Sequence, residues 1–253
     1  SQDKAEKEAI EVEKQTDSTK PTPLEYNEIV SFFIKSYGID KSHILGGSIE
    51  EKHCHRIVYA IQKQFNNKRI IGLNVGNFLG VAFSFILSRI VQNNDETTMV
   101  SVDPNIPHRG IVDLEDKFVA CLDAFNLHRN SMVINGYSLN KNVSNDGVTF
   151  DNYNPNTSFD NEKGCTGVLQ KLSKIGHKNF HFILLDGNHH SDYLTQEMEL
   201  CSQLLDTGGL LFLDDINENW KLLRQSAFAF IEKDSSEFEE LYYDGRILAL
   251  KKK

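Results

Sequence analysis

Residues 180–217 read FHFILLDGNHHSDYLTQEMELCSQLLDTGGLLFLDDIN, and this stretch decides the fold. Two apolar runs, 180–185 and 210–213, each end in carboxylate: Asp186 after the first, Asp214 and Asp215 after the second. Runs this uniformly apolar are strands covered on both faces, as in a parallel sheet flanked by helices. Ligands of such sheets bind beyond the carboxyl ends of the strands. If the two strands are neighbours, three carboxylates and His189 converge on one spot, where oxygen ligands for a hard divalent cation would sit beside a basic imidazole. Plainer roles compete with that reading. Asp215 can N-cap a helix beginning near Ile216, Asp186 and Asp214 can be polar strand ends, and a His-His pair can be a solvated loop. The repetition favours a site, because clustered carboxylates must be held against desolvation and mutual repulsion, as a cation or polar ligand does.

Working outward, strand patterns recur at 70–75, 98–102, 131–134, 180–185, 210–213, 238–243 and 246–250. Helical patterns lie between most of them, at 80–92, 112–125, 164–175, 194–205 and 218–231. The alternation predicts an α/β doubly wound, mostly parallel sheet. Asp244-Gly245 separates the last two strands and reads as a two-residue hairpin turn, so the sheet should finish antiparallel. Upstream, Ile29, Phe32, Phe33 and Ile34 recur at helical spacing before Gly38. A further helix is expected from about Ser48, with Glu51 three residues on as in a capping box. Its apolar stripe is Cys54, Ile57, Val58 and Ile61, which leaves His53 and His55 for the surface. Residues 1–22 carry charge and little apolar surface and read as a flexible tail, 23–68 as N-terminal helices and 69–253 as the main domain. Residues 139–163 are polar and without periodicity, as in lids, binding loops and disordered segments.

A chain of 253 residues can bury one substantial core, and its net charge of −9 argues against a partner held through nucleic-acid phosphates. No apolar run approaches the roughly 20 residues that span a bilayer, and the first residues are charged where a signal peptide is apolar. The expected location is cytoplasmic, with no membrane partner. Cys54, Cys121, Cys165 and Cys201 have neither CxxC spacing nor the density of a disulfide scaffold, so they read as reduced and structural.

The first strand runs into LNVGNFLGVAFS, where Gly76 and Gly80 flank a strand-to-helix turn. Small residues there let backbone amides approach a ligand, although tight strand-helix packing would also call for glycine. The spacing is not GxGxxG, since position 78 is Phe, which disfavours a nicotinamide oxidoreductase. The second strand ends at Asp103, where a carboxylate can take the hydroxyls of a ribose.

Taken together, NVGNFLG followed by FS, the carboxylate of SVDP, LLDGNHH and LLDTGGLLFLDDI resemble class I S-adenosylmethionine-dependent methyltransferases. Within them the chain is similar to the metal-dependent small-molecule O-methyltransferases of the catechol and macrolide-sugar types, over residues 70–250. The resemblance implies a seven-stranded Rossmann-like sheet, with cofactor contacts from Asn74, Gly76, Gly80, Ser84, Asp103, Tyr137 and Ser138. Asn74 stands where the family carries Glu or Asp, so it can hydrogen-bond the cofactor's amino-acid end without pairing with its ammonium charge. Asp186, Asp214 and Asp215 match divalent-metal ligands, normally for magnesium. His189 stands where the catechol type has lysine and the macrolide-sugar type has histidine, a match to the sugar branch.

The implied activity is magnesium-dependent methylation of a hydroxyl on a small polar acceptor, with His189 and Asp186 catalytic. The ion would acidify and orient the hydroxyl, and His189 would accept its proton. A catecholic acceptor and a ligand-binding protein without turnover are the alternatives. The Pro-Pro-aromatic motif of amino-methylating relatives is absent after the fourth strand. Assembly into a homo-oligomer is left open.

Overall fold

The computed structural model describes residues 21–140, 166–176 and 179–253. The expected tail, apart from Pro21 and Thr22, and the 139–163 segment, apart from Leu139 and Asn140, lie outside the described residues. In chain order the helices are α1 Tyr26–Tyr37, α2 Lys41–Gly46, α3 Glu51–Phe65, α4 Val81–Ile90, α5 Leu114–Ala124, α6 Val168–Lys174, α7 Ser191–Leu204 and α8 Lys221–Ile231. The strands are β1 Ile71–Val75, β2 Thr98–Asp103, β3 Ser131–Asn135, β4 Phe180–Leu185, β5 Leu205–Leu213, β6 Phe238–Tyr243 and β7 Leu248–Lys252.

The strands form one seven-stranded sheet in the order β3-β2-β1-β4-β5-β7-β6. β1 to β5 pair in parallel, and β7 runs antiparallel to both its neighbours. The fold is therefore the doubly wound, Rossmann-like sheet with an antiparallel finish that the alternation predicts. Alternate strand residues serve the two faces, as the period of a strand requires. Phe182, Leu184 and Phe212 pack with α1, α3, α4 and α5, whereas Ile183, Leu185, Leu211 and Leu213 pack with α6, α7 and α8.

Parallel register positions the chemistry. Val75 lies opposite Val102 on one side and Leu185 on the other, and Leu185 lies opposite Leu213. The next residues, Gly76, Asp103, Asp186 and Asp214, consequently emerge along one edge, at the switch point where chain order reverses between β1 and β4.

Three local expectations need correction. The β6–β7 connection is Asp244 to Ile247, because the Asp244 side chain accepts from the amides of Arg246 and Ile247, at 3.0 and 2.7 Å, and closes a wider turn than Asp244-Gly245 alone. Ser48 does not cap α3: its hydroxyl donates to the Ile44 carbonyl at 2.7 Å, and α3 begins only at Glu51. Glu25 and Glu28 make a capping contact instead at α1, where the Glu25 amide donates to the Glu28 carboxylate at 2.8 Å. His53 is buried, not superficial, and its Nδ1 lies 2.7 Å from Asp244 Oδ2. Gly38 does end α1 in the left-handed region, at φ 64°, its amide donating to the Ile34 carbonyl. Cys54, Cys121 and Cys201 are free and buried, and burial pushes the Cys121 thiol up to about 12, as for structural thiols. Among the described residues, no helix is long and apolar enough to cross a membrane.

Candidate active site

At the carboxyl edge of the sheet lies a cavity of about 470 Å³, within the range of small-molecule sites. The turn after β1 lines it, as do Asp103, Tyr137 and Ser138, the 186–189 segment, Asp215, Trp220 and Arg246. The loop between α2 and α3 closes it from above, where Gly47 packs on the ring of Phe78. A second depression, beside Ser202, Asp206 and Glu237 at the opposite edge, brings no comparable set of groups together.

Gly76 has φ 81°, and a Cβ there would lie 2.0 Å from the Asp186 carbonyl oxygen, so only glycine fits between β1 and β4. Its neighbour Phe78 also has positive φ, at 52°, strain of the kind that collects at functional turns. Asn77 is 9% exposed, and among the described residues neither atom of its amide finds a hydrogen-bond partner. An orphaned amide beside an enforced glycine is a cradle awaiting a polar ligand.

The cofactor residues inferred from sequence divide into two groups. Gly76, Asp103, Tyr137 and Ser138 reach the cavity. Asp103 accepts from the amides of Asn77 at 2.5 Å, Phe78 at 3.2 Å and Asn105 at 2.6 Å, so its carboxylate also shapes the turn. Asn74, Gly80 and Ser84 do not line it. Asn74 is buried on β1 and its amide donates to the Gly76 carbonyl at 2.9 Å, propping the turn from beneath. Gly80 admits the ring of Phe118, which a Cβ would meet at 2.2 Å, so here the packing role of glycine holds. Ser84 is fully buried between α4 and α5, with its hydroxyl 3.7 Å from Cys121 Sγ. The helical period carries Ser84 away from the turn, a direction that the FS motif alone does not reveal.

The acid cluster is rearranged relative to expectation. Asp186, His189 and Asp215 bring ligand atoms within 4.8 Å of one another. His189 Nε2 lies 2.7 Å from Asp215 Oδ2, and its ring stacks on Trp220 at 4.4 Å between centroids. Asp215 sits at φ 57°, which aims its carboxylate into the cavity and rules out the extended backbone of an N-cap. Asp214 stays beside Asp186, whose carboxyl its own side chain hydrogen-bonds, and is also gripped by Arg246. Its fully buried carboxylate receives two parallel hydrogen bonds from Arg246, Nε to Oδ1 at 2.7 Å and Nη2 to Oδ2 at 2.8 Å. The structure thus brings together two of the three expected metal ligands plus His189, and engages the third with an arginine.

Electrostatics follow the geometry. Burial, then the charges of Asp214 and Asp215, push the Asp186 carboxyl well above its usual range, so it holds its proton more tightly than an exposed aspartate. Burial also raises Asp215, but the hydrogen bond and charge of His189, with Arg246 and Arg109, outweigh it and hold Asp215 below its usual range. Burial opposes the charge on Arg246, and its bonds to Asp214 prevail and raise it.

Arg246 is the principal residue that the sequence reading missed. Because β6 runs parallel to β5, the β6–β7 turn returns to the edge where Asp214 and Asp215 emerge, and a basic residue in DGRI was the available signal. The Ile216 amide donates to the Arg246 carbonyl at 2.9 Å, which fixes the turn against the end of β5. Glu197 was missed as well. It lies on α7, reaches the cavity beneath Ser138, and accepts from the Ser138 hydroxyl at 2.5 Å. Burial pushes its carboxyl up to about 8. His190, next to His189, is buried and caps α7 by accepting from the Asp192 amide at 3.3 Å.

Solved structures share this architecture. An O-methyltransferase from Bacillus cereus, solved with S-adenosylhomocysteine, superposes with a TM-score of 0.58 at 13% identity, covering 94% of each chain. The S-adenosylhomocysteine-bound methyltransferase PaMTH1 of Podospora anserina gives 0.57 at 12% identity, covering 99% of this chain and 96% of that one. CalS11, a TDP-rhamnose 3'-O-methyltransferase of calicheamicin biosynthesis, gives 0.55 at 12% identity over 89% and 92%. At these identities the likeness is one of fold. No curated protein matches the sequence. The profile of the family described as a methyltransferase domain matches residues 73–216, which run from β1 to just past the acid cluster and make up more than half of the chain. The chain therefore belongs to the methyltransferase-domain family.

Proposed function

We propose that this protein transfers a methyl group from S-adenosylmethionine to a hydroxyl of a small polar acceptor, a sugar or sugar-bearing metabolite, with His189 as the base. The observation that carries the reading is the His189–Asp215 pair, 2.7 Å apart, opening on the same cavity as the Gly76 turn. Asp215 accepting from Nε2–H leaves Nδ1 as the basic nitrogen of His189. The Trp220 stack and the Asp215 bond fix the ring in place, so the base is oriented before a substrate arrives. As Nδ1 takes the hydroxyl proton, the Asp215 carboxylate faces the developing imidazolium and stabilises it.

The residues fit the cofactor. The glycine-enforced turn, the orphaned Asn77 amide and the Asp103 carboxylate offer close backbone approach, hydrogen bonds and a negative charge along one wall. When bound, S-adenosylmethionine supplies an electrophilic methyl whose bonding pair leaves with the sulfur. A divalent ion fits in part. Asp186 and Asp215 offer carboxylate oxygens that suit magnesium or manganese beside His189, which is kept as the base, and Asp214 would complete three carboxylates if Arg246 released it. Such an ion, when held there, supplies a Lewis acid that lowers the pKa of the acceptor hydroxyl.

A sugar acceptor is favoured by His189 at the position where the macrolide-sugar type has histidine, and CalS11, a fold neighbour, methylates a sugar nucleotide by its description. The test is methyl transfer from labelled S-adenosylmethionine into two acceptor panels, glycosides and nucleotide sugars against catechols. Labelled glycoside or nucleotide sugar is the expected result. Labelling of catechols alone would replace the sugar reading, and absence of cofactor binding by calorimetry would overturn the methyltransferase activity.

A further inference from the structure

The acid cluster carries its own cation. Asp214 is fully buried, and both its oxygens are taken by Arg246. The same guanidinium reaches two other carboxylates, with Nη2 3.7 Å from Asp215 Oδ1 and Nη1 3.6 Å from Glu50 Oε1. Glu50 precedes α3 at the rim, and its side chain is 54% exposed, so it offers the guanidinium a second, solvated seat. The arginine is presented by a rigid turn. Asp244 holds the Arg246 amide, Ile216 holds its carbonyl, and the buried His53 holds Asp244.

We propose that Arg246 and a divalent ion occupy Asp214 alternately, so that metal loading is a displacement in which the guanidinium moves from Asp214 to Glu50. This rests on the metal-assisted reading above. With Arg246 seated on Asp214, an ion meets two carboxylates, one imidazole already bonded to Asp215, and a like charge in contact with that same Asp215. With Arg246 moved to Glu50, the Asp214 oxygens are freed beside Asp186 and Asp215, and His189 keeps its bond to Asp215 Oδ2 as the base requires. Arginine suits the seated position because its planar fork matches a carboxylate in two parallel bonds, which a lysine ammonium cannot reproduce. The arginine thereby sets the affinity of the site, keeping weakly held ions out and coupling entry of the metal to a movement at the cavity rim.

The experiment reads metal binding without turnover. Manganese binding to the full chain is followed by the loss of the free-ion spin-resonance signal, and magnesium binding by calorimetry, for the wild type and for Arg246→Lys, Arg246→Met and Glu50→Gln. Arg246→Met is expected to tighten manganese binding tenfold or more and Arg246→Lys several-fold, while Glu50→Gln weakens it. Adding Asp214→Asn to Arg246→Met should abolish the gain. Arg246→Lys keeps a charge opposite the buried Asp214 and decides the question if melting curves show Arg246→Met unfolded. Manganese affinities of the two Arg246 variants within twofold of wild type, or tight binding that persists without the Asp214 carboxylate, would overturn the proposal. S-adenosylmethionine binding is measured on the same samples. Its failure counts against the methyltransferase activity, whereas an unchanged manganese affinity with intact cofactor binding counts against the displacement alone.

Discussion

Arg246 grips Asp214 through two parallel hydrogen bonds, of 2.7 and 2.8 Å, across the seam between the β6–β7 turn and the end of β5. The pair joins the last hairpin to the catalytic edge, so its loss should be felt in stability. Removing one partner of a buried ion pair typically costs about 3–5 kcal/mol, because the other charge is left uncompensated, whereas removing both is much milder. Arg246→Met should therefore lower the urea midpoint markedly, and Asp214→Leu combined with Arg246→Met should recover most of the loss. A double variant as unstable as the sum of the singles would argue that the pair is a surface-like contact.

Turnover should depend on His189 and barely on His190. His189→Ala is expected to reduce it by about 100- to 10,000-fold, the range for a lost general base, with cofactor binding intact. The deficit should shrink at high pH, where hydroxide can take the proton. His190→Ala removes the side-chain cap of α7 and should cost about 1 kcal/mol of stability with little effect on rate. An essential His190 with a dispensable His189 would refute the assignment of the base.

Asp103 serves both the cavity and the turn that frames it. A carboxylate has about four acceptor positions, and three neighbouring amides already use Asp103, so engaging both ribose hydroxyls requires one amide to yield. Asp103→Ala should weaken S-adenosylmethionine and S-adenosylhomocysteine by roughly 1.5–3 kcal/mol through lost charge-assisted bonds. Calorimetry measures the change, and an unaltered Kd would assign Asp103 to the turn alone. Because the same carboxylate anchors Asn77 and Phe78, the variant should also melt at a lower temperature.

Glu197 gives the stability a pH signature. Its folded carboxyl titrates near 8, above the ordinary value of 4.5, so the folded state holds a proton that the unfolded chain has released across that interval. The contribution is fully present below about 4.5 and is lost as pH rises through 8, with a slope of at most about 1.4 kcal/mol per pH unit. Glu197→Gln keeps the hydrogen-bonding shape and cannot ionise. Its melting temperature should fall less than that of the wild type between pH 5 and 9, and parallel curves would show that Glu197 ionises freely.

His53 tests the support of the hairpin. Its Nδ1 meets the buried Asp244 at 2.7 Å, and Asp244 in turn holds the Arg246 amide. His53→Ala should cost about 1–3 kcal/mol for the hydrogen bond lost by a carboxylate that keeps the Arg246 and Ile247 amides and Arg56. In spectra of a labelled sample, the Arg246 side-chain signals should shift although the substitution lies on α3. Unmoved Arg246 signals would show that the turn holds its shape without His53.

The sequence by itself determined the layer architecture, the parallel sheet with its antiparallel finish, and the edge on which chemistry must occur. Those features follow from periodicity and from the parallel-sheet rule, which act locally and leave their mark in consecutive residues. Gly76, Asp103, Asp186, His189 and Asp215 were legible for that reason, since each directly follows a strand or its turn. Tertiary structure decided which side chains face one another across elements distant in the chain. Ser84 and Gly80 share the first motif with Gly76, yet the α4 backbone turns them toward Phe118 and Cys121. Asp214 and Asp215 are adjacent in sequence but diverge, because Asp215 takes a left-handed φ of 57° and Asp214 continues the strand toward Arg246. Arg246 is 32 residues away from its partner, and only the antiparallel return of β7 brings the guanidinium to the carboxylate.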